Sequence, residues 1–289
     1  MNLKHKQQLI RNALKEDIGR VDITSRILIP PREKLKAEIV LKEDAVIAGL
    51  DIAKMIFKTL NKAVVFNAKC MDGSFQKAGK VIVKLQGNAR AMLSAERTAL
   101  NFLSHLSGIA TLTEKFVSAA LPYKVKIMDT RKTIPGLREL QKYAVRMGGG
   151  YNHRGGLWDG VLIKDNHIAA SGLRPRALNL GELVRAAQRE SPKSLKVEIE
   201  VKTLREFKEA LGAGPDIIML DNMKIADIRK AVKIRRVTQG ACHKTLLEVS
   251  GGVSLNNARE ISATGIDIIS IGALTHSIKA VDMSLEVIS

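Results

Sequence analysis

The chain has 289 residues, of which 45% are hydrophobic, 26% charged and only 3% aromatic. This is the composition of a globular protein long enough for one large domain or two smaller ones, with a largely aliphatic core. Its 47 Lys and Arg against 29 Asp and Glu give a formal charge of +18, which favours anionic partners. No apolar stretch approaches the roughly 18 residues that a transmembrane helix needs, so we expect no membrane span.

The two cysteines, Cys70 and Cys242, provide neither a disulfide framework nor a C-x-x-C site. The first 19 residues predict an amphipathic helix and lack the apolar core of a signal peptide. We therefore expect a reduced compartment and a cytoplasmic protein.

The first hundred residues predict a mixture of helices and strands. Helical patterns cover about Lys4–Ile18, the region near Leu50–Leu60 and a long segment from about Arg90. Alternating patterns in "AEIVLKEDAVIAG" and "KVIVKLQG" predict strands. This part of the chain therefore indicates an α/β domain.

From Lys124 the pattern changes to short apolar runs that alternate with amphipathic segments. The runs are "VKIM", "GVLI", "KVEIE", "DIIML", "LLEV" and "DIISI". Six successive β-then-α units predict parallel strands, arranged as a barrel or as a doubly wound sheet. No G-x-G-x-x-G follows any of the runs, which disfavours a dinucleotide-binding fold.

Polar residues or small loops follow all six runs. A strand has to end at polar residues, and for one strand that is the simpler explanation. Six in succession indicate an active site, because parallel α/β folds place their sites at the carboxyl ends of strands. The candidate residues are Arg131, Lys132 and Thr133, His153 and Arg154 from the next loop, Lys164, Glu200, Asp221, Ser250-Gly251-Gly252 and Ile271-Gly272-Ala273.

The residue types at this rim suggest the ligands. The cations of the early strands suit a small ligand with two carboxylates, since Arg binds carboxylates bidentately and Lys acts as a point charge. Glu200 and Asp221 suit Mg²⁺, sugar hydroxyls or a developing positive charge. The two glycine loops after the last strands suit a phosphate.

Longer motifs resemble the quinolinate phosphoribosyltransferase family over nearly the whole chain and in the same order. They are "ERTALNFLSHLSGIAT", "DTRKTIPGLRELQKYAVRMGGGYNHRGGLWDGVLIKDNH", "EIEV", "IIMLDNM", "LEVSGGV" and "ISIGAL". The resemblance implies an N-terminal α/β sandwich domain and an incomplete, open TIM-like α/β barrel. We place the domains at residues 1–112 and 113–274, with 275–289 packing back on the first.

The resemblance also implies an activity. Members transfer phosphoribose from phosphoribosyl pyrophosphate to quinolinate with Mg²⁺, releasing pyrophosphate and carbon dioxide and forming nicotinate mononucleotide for NAD biosynthesis. They are glycosyltransferases of the pentosyl class and form homodimers in which the N-terminal domain of one subunit completes the site of the other.

Carried over to this chain, the resemblance implies a role for each candidate. Arg131, His153, Arg154 and Lys164 would hold the quinolinate carboxylates, with Lys132 beside substrate and pyrophosphate and Thr133 in the same binding segment. Arg97 would reach in from the partner subunit, although an exposed helix arginine is the simpler explanation of that residue alone. Glu200 and Asp221 would bind ribose hydroxyls or the metal, and the loops at Ser250–Gly252 and Ile271–Ala273 the 5-phosphate. Lys132, Lys164, Glu200 and Asp221 form the candidate catalytic set.

The chain departs from the family pattern at four positions outside the candidate site: Val21, Ile134, Gln141 and Val249. Relatives associated with molybdate transport share the fold, so fold alone does not establish the substrate. Two other functions would use features of this sequence. A Schiff-base lyase would use Lys132 or Lys164 as the amine. A nucleic-acid-binding protein would use the positive charge, yet aromatics are scarce and no nucleic-acid-binding motif is recognisable, so no specific nucleic-acid partner is expected.

Overall fold

A computed structural model describes residues 3–170, 180–239 and 245–288 of the chain, so Cys242 lies outside the described residues. The helices are α1 (Leu3–Ile18), α2 (Ile23–Leu28), α3 (Leu50–Leu60), α4 (Ala89–Ala120), α5 (Arg138–Met147), α6 (Asp165–Ala170), α7 (Leu180–Glu190), α8 (Leu204–Leu211), α9 (Ile225–Gln239), α10 (Leu255–Ser262) and α11 (Ala273–His276). Among these described helices, none combines the length and apolar character needed to cross a bilayer.

The strands are β1 (Lys34–Leu41), β2 (Ala45–Val46), β3 (Val65–Ala68), β4 (Phe75–Gln76), β5 (Val81–Asn88), β6 (Lys126–Met128), β7 (Val161–Ile163), β8 (Val197–Val201), β9 (Ile217–Asp221), β10 (Leu246–Ser250), β11 (Ile268–Ser270) and β12 (Met283–Ile288). The backbone groups into two compact units. The first contains Met1–Glu114, Thr133–Gly149 and Ala273–Ser289, and the second contains Lys115–Lys132 and Gly150–Gly272. The predicted domain limits remain predictions.

The first unit contains an antiparallel four-stranded sheet in the order β12-β1-β5-β3, and β2 pairs separately with β4. The last strand of the chain, β12, pairs with β1 from Leu41↔Met283 to Lys36↔Ile288. Helix α3 occupies the predicted range and buries Ile52, Ile56 and Phe57 on one face. The unit is therefore the predicted combination of helices with a small sheet.

Asp72 fixes the start of α3. Its carboxylate accepts the backbone N–H of Gly49 at 2.9 Å and of Leu50 at 3.1 Å, which are groups that a helix start leaves without intrahelical partners. The same carboxylate accepts the hydroxyl of Tyr143 on α5 at 2.6 Å. Burial and this acidic neighbour raise the pKa of Tyr143, so the phenol stays a donor.

The second unit contains a parallel six-stranded sheet in the order β6-β11-β10-β9-β8-β7. From β7 to β11 each strand lies beside the next one in the chain, and β11 then pairs with β6. A closed barrel would also join β6 to β7, and the described strands leave that seam open. This order confirms the expectation of an incomplete TIM-like barrel and excludes the doubly wound alternative, whose strand order reverses within the sheet.

Alternation along the strands defines two faces of this sheet. Val197, Ile199 and Val201 of β8 are buried on the face that α7 and α8 contact. Glu198 and Glu200 therefore point to the opposite face, which we call the inner face. Register extends the inner face to neighbouring strands, because Glu198 pairs with Leu162, and Glu200 pairs with Met219. Acidic side chains thus point into the sheet's concave interior.

Arg235 is the largest fully buried side chain of the second unit, at 1% exposed. Its guanidinium donates to the Asp267 carboxylate, to the Thr245 carbonyl at 3.3 Å and to the Gly265 carbonyl at 3.5 Å. Asp267 also accepts the Leu247 N–H at 2.8 Å. One side chain of α9 thereby ties together the starts of β10 and β11.

We expect Arg235→Leu to lower the free energy of unfolding by about 3 kcal/mol, because removing one partner leaves a charged group without its counter-charge. Urea unfolding followed by circular dichroism measures this change. The neighbouring exposed residue provides the control, since Arg236→Leu should change stability by less than about 0.5 kcal/mol. Equal effects of the two variants would contradict the bracing role.

Candidate active site

Lys164 and Glu200 form an ion pair at the carboxyl ends of β7 and β8. The Lys164 ammonium lies 2.5 Å from Glu200 Oε2, and the side chains are 40% and 8% exposed. Because parallel strands place residues of equal register on the same face, the residue after β7 meets Glu200 directly. The sequence predicted both residues for the rim, and the structure brings them together.

Asp221 and Ser250 are partners in register on β9 and β10. Asn222, which follows Asp221, donates its backbone N–H to the Ser250 carbonyl at 2.9 Å. Gly251 and Gly252 then take φ angles of +86° and +63°, a conformation that favours glycine. The structure therefore brings the predicted carboxylate and the predicted phosphate loop to the same place on the rim.

Five other predicted residues border the rim or belong to the first unit. Ile271 is buried and donates its N–H to the Met128 carbonyl at 2.9 Å, with Gly272 next in the chain. Lys132 is exposed, and its N–H donates to Thr130 Oγ1 at 3.1 Å. Thr133 and Ala273 belong to the first unit, where Thr133 Oγ1 accepts from Arg138 Nε at 3.0 Å and Ala273 begins α11.

Arg97 is an exposed residue of α4 in the first unit. Its charge lowers the pKa of Glu96, against the larger effect of burial, which raises it. The predicted role of Arg97 depends on a second subunit and stays a prediction.

His153 lies against two buried carboxylates on the inner face. Its Nε2 is 3.1 Å from Glu198 Oε2 and 3.6 Å from Glu248 Oε2. Glu248 is fully buried and Glu198 is 4% exposed. With Arg154, Lys126 and Lys196, these three residues line a cavity of about 250 Å³. We call His153, Glu198 and Glu248 the buried triad.

Burial and mutual charge set the electrostatics of the buried triad. Glu198 Oε1 and both carboxylate oxygens of Glu248 have no hydrogen-bond partner among the described residues. Burial and the charge of Glu248 raise the pKa of Glu198. Burial opposes a charge on His153, yet the two carboxylates raise its pKa to about 10. The carboxylates therefore favour the protonated form of His153.

The triad is also a set of metal-binding atoms, all within 4.8 Å of one another. However, the backbone N–H of Arg154 donates to His153 Nδ1 at 2.8 Å. The Nε2 side of the ring therefore donates toward the two carboxylates, and a nitrogen that carries a proton does not ligate a metal. The geometry favours a shared proton over a metal ion at this position.

The positive charge of Arg131 acts on the guanidinium of Arg154. Burial lowers the pKa of Arg154, the charge of Arg131 lowers it further, and Glu198 raises it. Arg154 Nη1 donates to the Gly160 carbonyl at 2.9 Å, while its Nε has no hydrogen-bond partner among the described residues. Two neighbouring guanidinium groups form a site that an anionic ligand would stabilise.

Sequence reasoning missed Asp129, Glu198 and Glu248. Asp129 is fully buried and accepts the His153 N–H at 2.9 Å, so it fixes the loop that carries His153 and Arg154. A usable signal was present in "KVEIE" and "LLEV", where one acidic residue interrupts an apolar strand. A buried charge is costly unless it has a partner, so such a residue predicts a partner inside the fold.

Fold and rim together define an α/β-barrel protein that gathers cations, carboxylates and a glycine loop at one end of a parallel sheet. Models of two family domains match the chain: quinolinate phosphoribosyl transferase, N-terminal domain, over residues 22–107, and its C-terminal domain over residues 109–286. The chain belongs to the quinolinate phosphoribosyltransferase family.

Individual relatives match over almost their full length. The probable nicotinate-nucleotide pyrophosphorylase (carboxylating) of Bacillus subtilis is 42% identical over 287 residues, covering 99% of this chain and 95% of the relative. The nicotinate-nucleotide pyrophosphorylase (carboxylating) of Mycobacterium leprae is 43% identical over 282 residues, covering 96% of this chain and 95% of the relative. The solved structure of the Francisella tularensis nicotinate-nucleotide pyrophosphorylase has a TM-score of 0.90 at 40% identity, covering 100% of this chain and 98% of that one.

The buried triad predicts a pH dependence of stability. Because the carboxylates raise the pKa of His153 from 6.5 to about 10, the stabilising contribution is complete below pH 6.5 and is lost as the pH rises through 10. Glu248→Gln removes one carboxylate, so the free energy of unfolding should fall by about 2 kcal/mol less between pH 6.5 and 10 than in the wild type.

Urea unfolding at four pH values across this range tests the expectation. Glu260→Gln is the matched control, because Glu260 is exposed and its ion pair with Arg229 lies at the surface. Parallel curves for the wild type and Glu248→Gln would show that the triad does not retain an extra proton.

Proposed function

We propose that this protein transfers phosphoribose from phosphoribosyl pyrophosphate to quinolinate with loss of carbon dioxide, forming nicotinate mononucleotide and pyrophosphate in NAD biosynthesis. The observation that carries the proposal is the Lys164–Glu200 pair beside Asp221 and the Ser250–Gly252 loop at the carboxyl ends of neighbouring strands. The charge of Arg131, which follows β6, on Arg154, which precedes β7, adds a place for an anion. The names of the relatives, which are carboxylating pyrophosphorylases and decarboxylating transferases, support it.

Quinolinate carries two carboxylates on adjacent ring carbons. Arg131 and Arg154 repel each other in the free protein, and a dicarboxylate would replace this repulsion with charge-assisted hydrogen bonds. Lys164 and Lys132 add point charges. His153 is also among the residues predicted to bind quinolinate. Since both ring nitrogens of His153 face protein groups, its contribution is to hold the loop of Arg154.

The phosphoribosyl donor would occupy the other half of the rim. Glu200 and Asp221 supply oxygen atoms for the ribose hydroxyls. The Ser250–Gly252 and Ile271–Ala273 loops would bind the 5-phosphate, as glycine loops after late barrel strands do. Because the Ile271 N–H already donates to the Met128 carbonyl, the donors would be backbone N–H groups of the residues that follow the strands.

Magnesium is proposed as the cofactor, and the donor chemistry fits it. Glu200 and Asp221 offer only carboxylate oxygens, which are the ligands that Mg²⁺ prefers. When bound, the ion would supply positive charge to the departing pyrophosphate.

In the proposed reaction the protein positions the reactants and offsets charge. The pyridine nitrogen of quinolinate attacks the anomeric carbon as its bond to pyrophosphate breaks, so no protein nucleophile is needed. Glu200 and Asp221 stabilise the positive charge that develops on the ribose. The alkylated ring then accepts the electron pair left when carbon dioxide departs from the adjacent carbon, and a proton takes that place.

The geometry disfavours Lys164 as the amine of a Schiff-base lyase. Its terminal nitrogen lies 2.5 Å from the Glu200 carboxylate in an ion pair and is therefore not directed at a substrate carbonyl.

A homodimer is part of the proposal, and the surface of α2 supports it. Ile23, Ile27 and Leu28 are 65%, 72% and 70% exposed, an apolar patch of the kind that marks an interface. The N-terminal cap of α2, Asp22, accepts the Ser94 hydroxyl of α4 at 2.8 Å. Arg97 lies one turn further along α4, so a second copy covering this patch would sit beside Arg97.

Incubation with phosphoribosyl pyrophosphate, Mg²⁺ and either quinolinate or nicotinate tests the reaction, with nicotinate mononucleotide followed by chromatography. We expect product from quinolinate and none from nicotinate, because only the dicarboxylate engages both arginines. Product from nicotinate alone, or from neither base, would overturn the proposed substrate.

Subunit mixing tests the shared site. We expect Arg97→Ala and Lys132→Ala to be nearly inactive alone. After unfolding and refolding together, roughly a quarter of all sites should be intact, because half of the dimers are mixed and each mixed dimer contains one complete site. Absence of recovery, with dimers verified by sedimentation, would show that Arg97 does not act across subunits.

A further inference from the structure

Asn222 lies between two parts of the proposed donor site, Asp221 and the loop Ser250–Gly252. Its φ angle of +53° is the only positive value among the non-glycine residues that the structure describes. This left-handed conformation is unfavourable for most side chains, and asparagine is among the few that tolerate it. The backbone is turned here so that the Asn222 side chain folds back over the rim.

The side chain of Asn222 holds the carboxylate beside it. Its Nδ2 donates to Asp221 Oδ1 at 3.0 Å. The reversed amide would place an oxygen against the carboxylate, so the hydrogen-bond network assigns the nitrogen to this position. A rim carboxylate that would otherwise rotate freely thus has one preferred orientation.

The same side chain lies flat against Gly251. A Cβ at Gly251 would be 2.3 Å from Asn222 Oδ1, 2.5 Å from Cγ and 2.7 Å from Nδ2. The Asn222 N–H also donates to the Ser250 carbonyl at 2.9 Å. The residue therefore contacts the carboxylate through one atom and the glycine loop through both its backbone and its amide plane.

We propose that Asn222 is a positioning residue that fixes the distance between the ribose-hydroxyl subsite at Asp221 and the 5-phosphate subsite at Ser250–Gly252. This inference rests on the proposed function, because it assigns both subsites to the phosphoribosyl donor. It assigns no contact with quinolinate to Asn222. A change at Asn222 should consequently affect one substrate and spare the other.

Asn222→Asp keeps the shape and the tolerance of a positive φ but replaces the donor with a second carboxylate. We expect it to raise the KM for phosphoribosyl pyrophosphate about tenfold or more, as loss of a hydrogen bond to a charged group does, with the KM for quinolinate changed less than about twofold. Asn12→Asp makes the same chemical change on α1 and should alter neither constant. Unchanged donor KM, or equal rises for both substrates, would overturn the proposal.

Calorimetric titration with ribose 5-phosphate separates this inference from the proposed function. It reports on the two subsites without turnover, and thermal unfolding of each variant shows that the fold is intact. Wild-type binding that Asn222→Asp weakens would support the positioning role even if no nicotinate mononucleotide forms. Wild-type turnover with unaltered donor binding in Asn222→Asp would refute the positioning role and leave the reaction standing.

Discussion

The buried pair of Glu198 and Glu248 is the constraint on which the centre of the second unit depends. Two carboxylates buried inside a sheet are costly without a partner, and here both face the Nε2 side of His153. His153 is held at its backbone by Asp129 and at Nδ1 by the N–H of Arg154. The charge of Glu198 favours the charged guanidinium of Arg154. A structural requirement of the interior thereby positions Arg154, one of the predicted substrate-binding residues.

The site also keeps unfavourable interactions in the free protein. Arg131 and Arg154 repel each other, and Arg154 is partly desolvated. The free energy of removing these groups from water is spent when the protein folds. A dicarboxylate that binds them therefore gains interactions without a further rearrangement of the protein. The Lys164–Glu200 ion pair and the Asn222–Asp221 hydrogen bond likewise hold polar groups in place at the ends of the other strands before a ligand binds. The proposed chemistry needs little from the protein except this prior arrangement of charge.

The pattern of the sequence predicted much of the fold. All six apolar runs after Lys124 are strands β6 to β11, and α3 occupies the predicted range. The strand pattern left the barrel and the doubly wound sheet open, because both have the same local sequence signals. Pairing of β11 with β6 decided between them. The family motifs supported the barrel earlier, through a resemblance and not through any local property of the strands.

The sequence predicted which residues lie at the strand ends but not which residues contact one another. Rim residues such as Lys164, Glu200 and Asp221 were visible because they directly end or follow an apolar run. Glu198 and Glu248 were missed, since a charged residue within a strand says nothing about which residue it will face. Asp129 was missed although it directly follows the first run, because its position does not show that its side chain turns inward to the His153 N–H.

The amino-acid sequence by itself determined the strands and helices, the excess of positive charge, the residues at the strand ends and the family. These properties depend on local pattern and on residue identity along the chain. Tertiary structure alone decided that Lys164 meets Glu200, that His153 lies between Glu198 and Glu248, and that Asn222 covers Gly251. Each of these contacts joins residues from different strands or loops, and only the register and curvature of the folded sheet set the distances between them.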